Sequence, residues 1–349
     1  MRNNFDAIRL VMALLVVWSH AFRLHVGTDS GEWIYRVLGG LYSGGDIAVL
    51  VFFTISGFLV TQSYDRSRTR LSYLAKRVRR IYPGYIVATT ICAFVIIPLY
   101  STDFDLNLVR VVKITWHNFL LADLPSSNAF ATNPDHRVNG SLWTILFECI
   151  CYLGVLLIGA KRGRSLVVLL AAVLLARVGM NLFLDQPGIG ATKLPFLLTA
   201  LLPSFLVGMI AYSYRDHLPR SRSILIASSV AAMISCSWDR DIANLILVPA
   251  LGYATFYVAF SDRIRLQHLG KNGDFSYGTY LYAFPIQQML QSKFGSSIGL
   301  GPYIAMSFIL SLAAGFLSWH LVEKHFLSRH CAKDDDFRLR SPRSLINPA

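Results

Sequence analysis

Residues 6–25 read DAIRLVMALLVVWSHAFRLH, and the fold class follows from this stretch. From Leu10 to Trp18 every side chain is apolar or aromatic, with Arg9 before the run and Ser19 and His20 after it. About 20 residues of helix rise roughly 30 Å, the thickness of a bilayer's hydrocarbon core. The run follows Arg2 and Arg9 as a signal peptide's apolar core would. It lacks a small-x-small cleavage site and continues through Trp18 and His20, so it reads as a retained first span.

Working outward, nine further apolar runs follow, near residues 45–64, 81–100, 141–160, 165–184, 194–214, 223–238, 241–260, 275–292 and 302–326. The expected fold is therefore all-α, a polytopic membrane bundle of about ten transmembrane helices. Pro98, Pro195, Pro203, Pro249 and Pro285 fall inside these runs, where a lipid-embedded helix tolerates them as kinks. We read residues 1–326 as one membrane domain and 327–349 as a polar tail predicted to be disordered. The composition agrees, because 54% of the 349 residues are hydrophobic and 15% charged, against about a quarter charged in soluble domains.

A net charge of +13 raises the question of nucleic acid. The basic residues instead sit between apolar runs, as membrane topology requires, so no nucleic-acid partner is expected. On the side of the two termini, the inter-span segments and ends carry 24 Lys and Arg against 8 on the opposite side. Both termini are thus predicted to face the cytoplasm of a bacterial inner membrane. The longest opposite-side loop, 101–140, holds Arg110, Lys113 and His117 on one helical face, and a helix there is expected to lie flat on the outer surface. Cysteine spacing suggests neither a disulfide framework nor a zinc site, and no bound metal is expected.

Several polar residues inside the spans are candidates for chemistry. Arg9 and His20 lie on one face of the first span, about 16 Å apart. An intramembrane Arg costs on the order of 2.5–3.5 kcal/mol, which marks it as functional unless it snorkels to the headgroups. His20 exchanges a proton near neutral pH, or else makes a helix–helix hydrogen bond. Ser56 and Gly57 suit close helix packing. Arg77 and Arg80, three apart, either supply topological charge or grip a phosphorylated ligand. Counting helical rises places Glu148 about 10 Å below the outer surface, near the depth of His20. A His–carboxylate pair suited to acid–base work is then geometrically open.

Taken together, the chain resembles the acyltransferase-3 family of bacterial membrane acyltransferases. The likeness rests on Phe5-Asp6-Ala7-Ile8-Arg9 with the Arg9-x10-His20 spacing, and on Asp46 to Leu59 with Phe53-Thr54-Ile55-Ser56-Gly57-Phe58-Leu59. It continues through Arg77, Arg80, Tyr82 and Pro83, then Asn139-Gly140-Ser141-Leu142-Trp143 with Glu148 and Tyr152. Ser276 to Tyr282 with Pro285, and Trp319, Glu323 and Lys324, complete it. Many members carry a His where this chain has Ala283, which removes a catalytic group from the ninth span and leaves Gln287 and Gln288 as polar contacts.

The resemblance implies transfer of an acyl group, usually acetyl, from acyl-CoA to a carbohydrate hydroxyl, with no tightly bound cofactor. On that reading His20, Glu148 and Arg9 are catalytic candidates, and Arg77, Arg80 and Arg9 face the CoA phosphates. O-antigen, exopolysaccharide or a lipid-linked oligosaccharide each satisfy the acceptor's chemistry. A transporter or flippase for a lipid-linked or small polar substrate is the alternative, its intramembrane Arg and His then serving ion coupling or headgroup passage.

Overall fold

In the computed structural model, residues 3–101, 107–121, 128–159, 163–183, 193–238, 240–261, 263, 264, 266 and 273–327 are described. The expected tail lies, from residue 328 on, outside them. The described residues form helices and no strand: α1 (Phe5–Ala21), α2 (Gly44–Asp65), α3 (Arg70–Ile91), α4 (Leu108–Phe119), α5 (Trp143–Ile158), α6 (Arg164–Phe183), α7 (Lys193–Ser213), α8 (Arg222–Ser235), α9 (Arg240–Ala259), α10 (Ser276–Phe294) and α11 (Leu300–Ser318).

Each expected apolar run falls on a helix, but the count of ten spans does not follow. Among the described residues, five helical stretches are long and apolar enough to cross a membrane: Phe5–Val26, Gly44–Asp65, Arg70–Tyr100, Leu194–Ser213 and Leu300–Leu327. Trp143–Ile158, Arg222–Ser235 and Ala243–Ala259 are apolar but shorter. This is a multi-pass helical membrane protein.

Local signals set the helix starts. Ser43 and Asp46 form a reciprocal capping box at α2, satisfying two orphan backbone donors. The Thr69 side chain accepts from Ser72 N and starts α3 at Arg70, eleven residues before the expected third span. Arg77, Arg79 and Arg80 therefore lie within a helix. Single π-helical turns extend α1 (Phe22–Val26), α3 (Cys92–Ile96) and α11 (Trp319–Glu323), and such turns re-aim side chains on an otherwise regular helix.

Helix α1 packs against α2, α10 and α11, while α2 runs along α7. That last contact is backbone to backbone. A Cβ on Gly57 would stand 2.0 Å from the Phe205 carbonyl oxygen, and one on Gly208 would stand 2.1 Å from that of Thr54. Small residues let helices approach this closely in lipid, where no hydrophobic force joins them, so Gly57 is a packing residue as expected.

The long loop departs from expectation. Helix α4 forms, with Val109, Val112, Trp116 and Phe119 exposed. Its last turn meets Tyr82, whose hydroxyl donates to the Phe119 carbonyl at 3.2 Å. Tyr82 lies roughly 27 Å along the extended α3 from Tyr100, so α4 does not lie flat on the outer surface.

Residues 128–142 are largely irregular and partly buried against α10. Gln288 Nε2 donates to the carbonyls of Asp135 (2.7 Å) and Arg137 (2.6 Å). Asn133 Nδ2 returns bonds to Gln288, and Asn139 Nδ2 donates to the Leu281 carbonyl at 2.9 Å. Irregular backbone survives at membrane depth only when its polar groups are met in this way. Gln288 is thus a structural polar contact, as the sequence suggested.

Candidate functional site

A cavity of about 750 Å³ opens between α2, α3, α5 and α10. Its mouth carries Arg66, Lys76, Phe326 and Leu327, and its far end Val49, Phe52, Thr144 and Tyr280. Six basic and two acidic residues line it, an excess that favours a polyanionic occupant.

The basic residues divide by their partners. Arg9 and Arg80 both donate to Asp274 Oδ2, and Arg80 also lies 3.7 Å from Glu323. Glu323 is 2% exposed and accepts from Ser318 Oγ at 2.8 Å. Burial alone would raise the Asp274 pKa, but Arg9, Arg80 and the Ser276 hydrogen bonds hold it well below the usual carboxylate range. This pair of arginines is therefore largely neutralised within the protein.

Arg77 differs. It donates to Ser63 Oγ at 3.1 Å and stands 5.8 Å over the Tyr152 ring, yet its buried Nε has no protein partner. The buried Nη1 of Arg79 also lacks one. Unsatisfied buried guanidinium donors are costly, and an anion is the group that meets them.

Glu148 lies in the cavity wall, accepting from Ser56 Oγ (2.8 Å) and the Tyr152 hydroxyl (2.5 Å). Ser56, expected only to pack, thus faces polar chemistry. Helix α5 begins deep because residues 128–142 precede it, with Thr144 Oγ1 and the Tyr280 hydroxyl 2.7 Å apart. From that level Glu148 lies one helical turn toward the mouth.

His20 is outside this wall. Its ring sits edge-on to Phe284, centroids 5.3 Å apart, one turn beyond Tyr280. Glu148 and His20 are therefore about 12 Å apart along the bundle axis, and the similar depth expected of them is corrected. The error came from starting the fourth span at the outer surface. The charged groups around His20 are Arg137, Arg23 and Asp135, and its buried Nδ1 has no protein partner. Asp135 is held by Arg137, with Nη2 2.5 Å from Oδ2. Burial pushes the Asp135 pKa up, and Arg137 and Arg23 bring it below the usual range.

The structure thus gathers Arg9, Arg77, Arg80 and Glu148 around one cavity and sets His20 apart. Sequence reasoning missed Asp274, whose only signal was an acid at the start of a span facing two arginines. It also left Arg79 and Tyr280 without a role and read Ser56 only as a packing residue, although each lay inside or beside a motif already quoted. Among the described residues no group of three His, Cys, Asp or Glu is placed to hold a metal ion.

The chain was compared with known families, proteins and structures. The family described as an acyltransferase domain matches residues 2–320. An O-acetyl transferase of Shigella phage Sf6 is 30% identical over 339 residues, covering 95% of this chain and 98% of that protein. Nodulation protein 10 of Rhizobium leguminosarum bv. viciae is 26% identical over 359 residues, covering 93% and 92%. No solved structure matches.

Proposed function

This chain belongs to the acyltransferase-3 family and is an acyltransferase for groups other than aminoacyl, and on that premise we propose that it carries acetyl from acetyl-CoA to a hydroxyl of a surface or secreted carbohydrate. Family membership decides for the enzyme over the transporter. Acetyl is chosen because the phage relative is an O-acetyl transferase. The excess of Lys and Arg around both termini supports the reading that this face lies in the cytoplasm of a bacterial inner membrane. The cavity mouth, beside the Lys- and Arg-rich stretch 66–80, would then open on the same side, where CoA is found.

One observation carries the donor reading. The basic cavity includes two arginines, Arg77 and Arg79, with buried guanidinium nitrogens that no protein group meets. We assign the CoA phosphates to them, with Arg66 and Lys76 nearby at the mouth. Arg80 and Arg9 then act by fixing Asp274 and the α1–α3–α10 junction, so the phosphate contacts move from Arg77 and Arg80 to Arg77 and Arg79. Glu148 orders Ser56 and Tyr152 in the wall.

In the chemical step His20, in its neutral form, takes the proton of the acceptor hydroxyl. The freed oxygen attacks the thioester carbonyl, the C–O bond forms, the C–S bond breaks, and the proton passes from His20 to the leaving CoA thiolate. The acceptor approaches from the face bearing Arg23, Asp135 and Arg137.

The test is donor binding in detergent by calorimetry. Arg77→Ala with Arg79→Ala should weaken acetyl-CoA binding by about tenfold or more, since hydrogen bonds to charged groups are each worth about 1.5–3 kcal/mol. His20→Ala should leave it unchanged. Equal affinity in the double arginine variant and the wild type would remove the cavity from donor binding.

A further inference from the structure

Val49, Phe52, Thr144 and Tyr280 line the end of the cavity away from Arg66 and Lys76, and the side chains there limit what it admits. Its wall along α2 runs from Arg66, the residue just past the helix at the mouth, through Ser56 to Phe52 and Val49, and on α10 from Ser276 to Tyr280. Phe52 and Tyr280 meet at that end edge to face, with ring centroids 5.9 Å apart and planes at 68°. The Tyr280 hydroxyl donates to the Ser141 carbonyl at 2.8 Å and shares a 2.7 Å hydrogen bond with Thr144 Oγ1. Two hydrogen bonds therefore fix the hydroxyl end of its ring. Phe52 has no polar atom to anchor it, is half-buried, and faces the cavity.

Behind the pair the packing is close. Val16 and Ala48, both at most 1% exposed, cluster with Tyr280. One turn further along α10, Phe284 packs against His20. The ring pair stands between the volume open at the basic mouth and the histidine.

We propose that Phe52, set against the fixed Tyr280, determines which acyl groups the protein accepts, letting a short group such as acetyl pass toward His20 and excluding hexanoyl and longer chains. The proposal rests on the reading of this cavity as the acyl-CoA site. If the phosphates stay at the mouth, the acyl end leads and is the part that meets Phe52. Displacing one unanchored ring opens a narrow gap. A longer chain must also find room among Val16, Ala48 and Phe284, where the interior is packed at the density of an organic crystal. A smaller residue at 52 widens the gap without touching the basic mouth, Glu148 or His20.

The experiment compares transfer from acetyl-, butyryl- and hexanoyl-CoA to native envelope glycans in membranes holding wild type, Phe52→Ala or Phe52→Leu. Folding is checked by gel filtration in detergent, and Phe52→Leu carries the comparison where Ala unfolds. Wild type should favour acetyl over hexanoyl by about tenfold or more, the scale on which apolar pockets resolve chain length, and Phe52→Ala should reduce that preference by a similar factor. Phe52→Leu should fall between. An unchanged preference in folded variants that still transfer acetyl would overturn the proposal, as would equal use of acetyl and hexanoyl by wild type. Wild type using no acyl-CoA at all would instead overturn the donor reading on which it rests.

Discussion

At the scale of single residues, Asp274 does the most to hold the site together. It is the shared acceptor of Arg9 and Arg80, so its loss would leave two mostly buried guanidinium groups facing each other. Removing one partner of a buried ion pair costs about 3–5 kcal/mol, and Asp274→Asn should lower the Tm in detergent at pH 7 accordingly. The sign of the pH dependence follows from the depressed pKa. A carboxylate whose folded pKa lies below its unfolded value of about 3.9 stabilises fully above that value and loses its contribution as pH falls below it. The Tm gap between wild type and Asp274→Asn should therefore be constant near neutral pH and close only in strong acid. An equal Tm at pH 7 would remove Asp274 from its structural role. Arg9 was legible as a costly intramembrane charge. Its partner was not, because an Asp 265 residues away has no local signal that points to Arg9.

At the scale of elements, the α2–α7 contact gives the sharpest expectation. Gly57→Leu or Gly208→Leu must push the helices apart, because a Cβ at either position would lie within 2.1 Å of a carbonyl oxygen. Either change should cost several kcal/mol, read as loss of the monodisperse peak in detergent. Retention of wild-type Tm by both would contradict the packing. Helix positions were readable from apolar runs, since the period and length of such runs follow from lipid contact. The depth of α5 was not. It depends on residues 128–142 descending beside α10, held there by Asn133, Asn139, Gln288 and Tyr280. Polar residues that satisfy an irregular segment look the same in sequence as loop residues in water. That one misplacement put Glu148 beside His20 rather than in the basic cavity.

At the scale of the whole molecule, the chain divides its chemistry by depth. A basic cavity with Arg77, Arg79 and Glu148 lies on one side of the Phe52–Tyr280 pair, and His20 with Arg137 and Asp135 on the other. Sequence motifs pointed to both groups but not to the layer between them, because a Phe and a Tyr in apolar spans read as ordinary lipid-facing or core aromatics. In the proposed reaction acetyl passes from CoA to a carbohydrate with His20 as the base. Its most direct test is transfer of labelled acetyl from acetyl-CoA to envelope glycan in membranes holding wild type or His20→Ala, with free CoA measured in parallel. Wild type should transfer acetyl, and a folded His20→Ala that still binds acetyl-CoA should lose about a hundredfold or more of that activity. Equal transfer by both proteins would contradict it.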